Sequence, residues 1–125
     1  SKTILIVDDE EVNLMVLGKL LIDANYEILK AKNGQEVLKI LDEEKCDLIF
    51  MDIKMPKLDG LQTTKIIREG ELLKNKKYQS IPIVAVSGDD DEQSRKTALK
   101  AGMNDVIGKP FIKAEILNLI AKFLG

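Results

Sequence analysis

The sequence predicts an α/β fold, an open doubly wound sheet of five parallel strands with five helices. Three observations predict it. Short apolar runs recur at residues 3–7, 26–31, 48–52, 81–86 and 106–107, and a stretch of helical character follows each of them. The first, third and fourth runs are apolar without alternation, which marks strands buried on both faces. Strands joined through helices run parallel, and right-handed crossovers place helices on both sides of the sheet.

Each element has a local cause. Thr3 to Val7 is a short apolar run, rich in β-branched residues, that ends in Asp8-Asp9-Glu10-Glu11. Acids suit the first turn of a following helix, where the dipole favours negative charge. That helix, about Glu11 to Asn25, is apolar nearly all round and is expected to be well covered. Tyr26 to Ala31 is more mixed and is placed nearer an edge. Asn33-Gly34 reads as a turn, and Val37, Leu38, Ile40 and Leu41 give the stripe of a second helix. Asp47 leads into Leu48–Asp52, and Asp59-Gly60 turns into a third helix that runs to about Arg68 and ends near Gly70.

Residues 71–80 are polar and carry Lys74, Lys76 and Lys77; they read as a solvated extension or loop, with a phosphate-binding patch as the lesser alternative. Pro82 stands near the start of the fourth strand, where a missing N–H is tolerated, and Ser87-Gly88 ends it. Asp89 to Ala101 reads as a polar, Ala-rich helix, the least firmly packed, stopped by Gly102. Val106-Ile107 precedes Gly108-Lys109-Pro110. Ile112, Ile116, Leu119, Ile120 and Phe123 mark the last helix by their spacing.

Composition excludes several functions. The 125 residues are 45% hydrophobic with formal net charge -2, which suits one domain, residues 1–125, around a single core. No basic tract favours nucleic acid, and no apolar run approaches the roughly 20 residues that span a bilayer. The opening lacks the charged and apolar regions of a signal peptide. Cys46 is the lone cysteine; it excludes an internal disulfide, suits a reducing cytoplasm and reads as a small buried thiol. There is no histidine, so any chemistry falls to carboxylates, Ser, Lys and backbone.

In such sheets ligands bind at the carboxyl ends of the strands. The first strand delivers Asp8 and Asp9 there, the third Asp52, the fourth Ser87 and the fifth Lys109. Taken singly, an acid there serves as a helix cap, Ser87 as a turn residue and Lys109 as a solvated charge; their coincidence at one edge points to a site. Carboxylates a few ångströms apart repel by roughly 4 kcal/mol per pair at an effective dielectric near 20. Lys109 offsets one charge, and a divalent cation offsets two more. With no His or thiolate ligand, the oxygen-only set suits Mg²⁺, or Mn²⁺, rather than zinc. Asp52, alone on its strand, is placed as a nucleophile that forms an aspartyl phosphate, with Lys109 and the Ser87 hydroxyl on the phosphoryl oxygens.

Met51-Asp52-Ile53-Lys54-Met55-Pro56 with Asp59-Gly60, the pair Asp8-Asp9, Ser87-Gly88 and Lys109-Pro110-Phe111 resemble, in order and spacing, the response-regulator receiver domain of two-component signalling. The resemblance covers essentially the whole chain. The opening Val7 to Asn13 and the lengthened stretch at 71–80 are similar to receivers of hybrid histidine kinases or single-domain relatives. It implies a flavodoxin-like sheet in the order 2-1-3-4-5. It implies that Asp52 accepts a phosphoryl group from a partner's phosphohistidine, the partner being a sensor histidine kinase or a histidine phosphotransfer protein. Asp9, Asp52 and the Lys54 backbone carbonyl then bind Mg²⁺ directly and Asp8 acts mainly through water. Ser87 and Lys109 hold the phosphoryl oxygens, and the Lys109-Pro110 bond is cis. The module acts through protein contacts in the cytoplasm, without nucleic acid or membrane, and catalyses only its own phosphorylation and slow dephosphorylation.

One position departs from the family. Where many members carry Tyr or Phe three residues before the Lys, this chain has Val106. That puts the aromatic switch in doubt; movement of Ser87 and of the loop to Asp91 is expected to reshape the 90–101 helix instead. Lys54 and Asp89, two residues beyond Asp52 and Ser87, are placed to tune access of the hydrolytic water, with ordinary loop solvation as the plain alternative.

Three competing readings differ at named residues. A haloacid-dehalogenase-like Mg²⁺ phosphatase carries its nucleophile after the first strand, not the third. A flavodoxin-like nucleotide binder wants a Gly- or Ser-rich phosphate loop where this chain has four acids. An inactive receiver-like binding module needs a defect among the five site residues. The chain stops at Gly125 after its fifth helix, so it is expected to be a single-domain shuttle or a receiver cut from a longer chain.

Overall fold

The computed structural model describes residues 2–88 and 92–125. Among them lie β1 (Thr3–Val7), α1 (Glu11–Asp23), β2 (Glu27–Ala31), α2 (Gly34–Glu43), β3 (Leu48–Asp52), α3 (Gly60–Glu69), β4 (Ile83–Ser87), α4 (Glu92–Ala101), β5 (Asp105–Gly108) and α5 (Lys113–Leu124). A short 3₁₀ helix, Lys76–Ser80, precedes β4. The strands form one parallel sheet in the order β2-β1-β3-β4-β5, as expected. The expected start of the fourth helix at Asp89, the loop to Asp91 and the flanking role of Asp89 lie outside the described residues.

β3 shows why the central strands lack alternation. Successive side chains point to opposite faces, and both faces are covered. Ile49 and Met51 join Val37, Leu41, Ile67 and Ala98 under α2, α3 and α4. Leu48 and Phe50 join Leu14, Leu17, Leu21, Ile116 and Ile120 under α1 and α5. β2 is one of the two edge strands, with only Ala31 fully buried.

Two expectations are corrected. α1 is covered on one side only: Leu14, Leu17, Gly18 and Leu21 face the sheet, while Val12, Met15, Val16 and Ile22 are 52–67% exposed. No other described element lies outside it, so its second apolar face meets solvent. It ends at Asp23, with Asn25 at φ 70° in the left-handed region that Asn tolerates. Residues 71–80 are not a solvated loop throughout. Leu73 and Tyr78 are buried, and the Tyr78 hydroxyl donates to the Glu44 carbonyl (3.1 Å) while accepting from the Cys46 N–H (3.1 Å). Arg68 binds the other side of this excursion: it donates to the carbonyls of Gly102 (2.9 Å) and Gln79 (2.8 Å) and to Asn104 Oδ1 (2.8 Å).

Smaller shifts have local reasons. β4 starts at Ile83, after Pro82, and takes Ser87 as its last residue. Asn33 is the N-cap of α2 rather than part of a free turn, accepting from the Glu36 N–H. Cys46 is the buried thiol expected, donating to the Leu48 carbonyl, and burial pushes its pKa up to about 11.

Candidate functional site

The carboxyl ends of β1, β3, β4 and β5 converge on one cleft of about 320 Å³, lined by Asp9, Glu10, Asp52, Ile53, Lys54, Ser87, Gly88 and Lys109. Backbone pairing carries past the strand ends and fixes this edge. The Asp8 N–H donates to the Ala31 carbonyl (3.1 Å), that of Ile53 to Val86 (3.2 Å) and that of Lys109 to Ser87 (3.0 Å). Below the cleft, Asp59 caps α3 in a reciprocal pair with Gln62. The next residue is glycine for a steric reason: a Cβ on Gly60 would run into the Asp52 carbonyl oxygen. The Asp59-Gly60 motif thus lets α3 start directly against the end of β3.

Asp8 and Asp52 are buried and Asp9 is exposed, and one oxygen of each lies within 4.8 Å of the others. Lys109 Nζ stands 3.2 Å from Asp8 Oδ2 and 3.4 Å from Asp52 Oδ2. Asp8 Oδ1 accepts from the Glu10 N–H (2.9 Å) and Asp52 Oδ1 from the Lys54 N–H (3.3 Å). Burial raises the Asp52 carboxyl to about 6, the Asp8 charge adds to the rise, and Lys109 opposes it. Burial alone would lower the Lys109 ammonium, but Asp52 and Asp8 outweigh it and hold its pKa above the ordinary value. One lysine therefore serves two carboxylates, and the cluster keeps excess negative charge.

That excess suits a hard dication. Carboxylate oxygens on opposite sides of Mg²⁺ are separated by roughly 4 Å at metal–oxygen distances near 2.0–2.1 Å, and the three aspartates, with oxygens within 4.8 Å of one another, lie close to such a span. Among the described residues, every sequence-predicted site residue lies at this one edge. Two contacts were not legible in the chain order: Lys109 binds Asp8 as well as Asp52, and Glu10 supports Asp8 through its backbone. Beside the cleft, Val106 is buried and offers no aromatic ring. Instead Arg95 of α4 donates to Asp105 Oδ1 (3.2 Å) and to the Val106 carbonyl (3.3 Å), and Lys122 of α5 to Asp105 Oδ2 (3.1 Å).

The response regulator receiver domain model matches residues 4–121. The chain is 41% identical over 125 residues to hybrid signal transduction histidine kinase A of Dictyostelium discoideum, covering 99% of this chain and 6% of that protein. It spans 6, 18 and 7% of the length of the first three curated relatives it matches. Among solved structures, it is similar to the receiver domain of a sensor histidine kinase of Pseudomonas aeruginosa, which has a magnesium ion coordinated in its active-site cleft (TM-score 0.88, 30% identity, 100 and 98% of the two chains covered). It is also similar to a Saccharomyces cerevisiae structure pairing the histidine phosphotransfer protein Ypd1 with the receiver of its downstream regulator Ssk1 (TM-score 0.88, 30% identity, 98 and 88% covered). With fold, cleft and sequence match agreeing over nearly its full length, the chain belongs to the response regulator receiver domains of two-component phosphorelays.

Proposed function

We propose that residues 1–125 act as one phosphoacceptor unit in which Asp52 takes a phosphoryl group from a phosphohistidine of a sensor kinase or phosphotransfer protein. The observation that carries this reading is the Asp8, Asp9 and Asp52 cluster with Lys109 between two of its members. An Asp52 carboxylate oxygen attacks phosphorus, the P–O bond forms, the P–N bond breaks and the imidazole leaves with the electron pair. Lys109 swings its pairing from the carboxylate to a phosphoryl oxygen, and the Ser87 hydroxyl, at the end of β4, donates to another. Asp9, Asp52 and the Lys54 carbonyl would hold Mg²⁺, with Asp8 acting mainly through water; Mn²⁺ would fit the same donors. Bound there, the ion would supply charge neutralisation on the phosphoryl oxygens. The unit performs no turnover beyond its own phosphorylation and slow hydrolysis. It works in the cytoplasm, through protein partners and without nucleic acid.

The donor docks on α1. Val12, Met15 and Val16 form an exposed apolar stripe that starts beside Asp9 and Glu10 on the rim of the cleft. The yeast complex with a phosphotransfer protein supports this kind of partner. The test is intact mass after incubation with Mg²⁺ and acetyl phosphate, beside Asp52→Asn. One Mg²⁺-dependent phosphoryl adduct, absent from the variant, is expected. If no adduct forms and beryllofluoride does not bind either, the inactive-module reading replaces this one.

A further inference from the structure

α4 is seated by little. Its buried residues are Ala98 and Ala101, whose short side chains bring the backbone near the sheet. The space left between the two helices is a cavity of about 640 Å³, twice the volume of the Asp52 cleft, lined by Leu61, Lys65, Gln93, Lys96, Thr97 and Lys100 among others. A smaller cavity sharing Leu61, Gln93 and Thr97 continues it to Ser87. The result is a groove that runs from the phosphoryl site along α4.

Its chemistry is uneven. Leu61 and Ala101 give it an apolar floor. Three lysines, one on α3 and two on α4, stand exposed along its outer part in a chain of net charge -2. Lys96 reaches Glu92 at 3.7 Å across one helical turn, and both are largely exposed, so the pair costs a competing acid little to displace. Neither Lys65 nor Lys100 lines the Asp52 cleft. From Gln93 to Lys100 the groove is about 10 Å long, two helical turns.

We propose that this α3–α4 groove docks an acidic segment of a partner protein that carries apolar anchors, the anchors entering over Leu61 and the acids meeting Lys65, Lys96 and Lys100. Charge complementarity supplies the steering and the apolar floor the selectivity. The three lysines lie outside the Asp52 cleft, which the groove reaches only at its Ser87 end, and the surface is separate from the α1 stripe.

The experiment is fluorescence anisotropy of this protein with a panel of labelled peptides that place Glu and Leu on opposite helix faces at different spacings. Binding is expected, weakening at least tenfold on Leu-to-Ser change in the peptide and at least tenfold in Lys65→Glu/Lys100→Glu, with amide shifts confined to α3, α4 and their ends. Acetyl phosphate labelling of Asp52 is expected to be unchanged in that variant, which shows it folded. No binding by any peptide, affinity indifferent to the leucines or to the two lysines, or equal binding of a single-stranded RNA or of phosphatidylglycerol vesicles overturns the proposal. The last result would mark a general cationic patch.

Discussion

Asp52 carries a proton more readily in the folded, metal-free protein than in the unfolded chain, because burial and Asp8 raise its carboxyl to about 6 from 3.8. A raised carboxyl contributes stability that is fully present below about pH 4 and is lost as pH rises through about 6. Near neutrality Asp52 therefore opposes folding. The full shift corresponds to about 3 kcal/mol, and screening in an open cleft reduces this to about 1–2 kcal/mol. In EDTA at pH 7, Asp52→Asn is expected to be more stable than the parent by that amount in urea unfolding, with the difference fading toward pH 4. Adding Mg²⁺ is expected to narrow or reverse it. Lys109→Ala is expected to slow acetyl phosphate labelling by about 10²–10³, the usual loss of a charged donor to the transition state, measured as a labelling rate at saturating Mg²⁺. These residues were legible in the sequence because each ends a strand, and parallel strands deliver their ends to one edge. The double pairing of Lys109 was not, because it depends on side-chain reach across a gap that spacing does not encode.

Helices show where sequence patterning stops. α1 is apolar on both sides, and such a pattern is equally consistent with burial by the protein itself and with a face kept for a partner. Only the three-dimensional arrangement shows that nothing else in the described chain covers Val12, Met15 and Val16. Val16→Asp is expected to cut phosphoryl transfer from a phosphotransfer protein at least tenfold while leaving labelling by acetyl phosphate within about twofold; parallel rate measurements with the two donors decide it. Residues 71–80 depart from the expected solvated stretch for a related reason. The stretch is polar on average, but Tyr78 ties it to Glu44 and Cys46 more than thirty residues away. Arg68 closes the other side with three hydrogen bonds to residues 11, 34 and 36 positions away. Arg68→Ala leaves these acceptors short and is expected to cost about 2–3 kcal/mol in chemical denaturation.

At the scale of the molecule, a parallel sheet buried on both faces followed from alternation of apolar runs and helices, whereas the strand order was implied only by the resemblance to receivers, and the observed order agrees with it. What alternation does not give is how firmly each helix is held. α4 buries two alanines, and Arg95 adds bonds to Asp105 and the Val106 carbonyl, the ion pair being half-exposed and of a class worth about 0.2–1 kcal/mol. Native-state hydrogen exchange is expected to find α4 amides the least protected among the helices, opening well below the global unfolding free energy. Uniform protection across α3, α4 and α5 would contradict this.

The Tyr78 anchorage has a practical consequence for optical work. The chain has no tryptophan and two tyrosines, Tyr26 and Tyr78, which precede β2 and β4 at the amino ends of the strands. Both chromophores thus sit at the pole opposite Asp52. Intrinsic ultraviolet emission will follow melting of the fold faithfully and will stay nearly dark to events at the Asp52 cleft, so a titration that shows no fluorescence change says nothing about occupancy there.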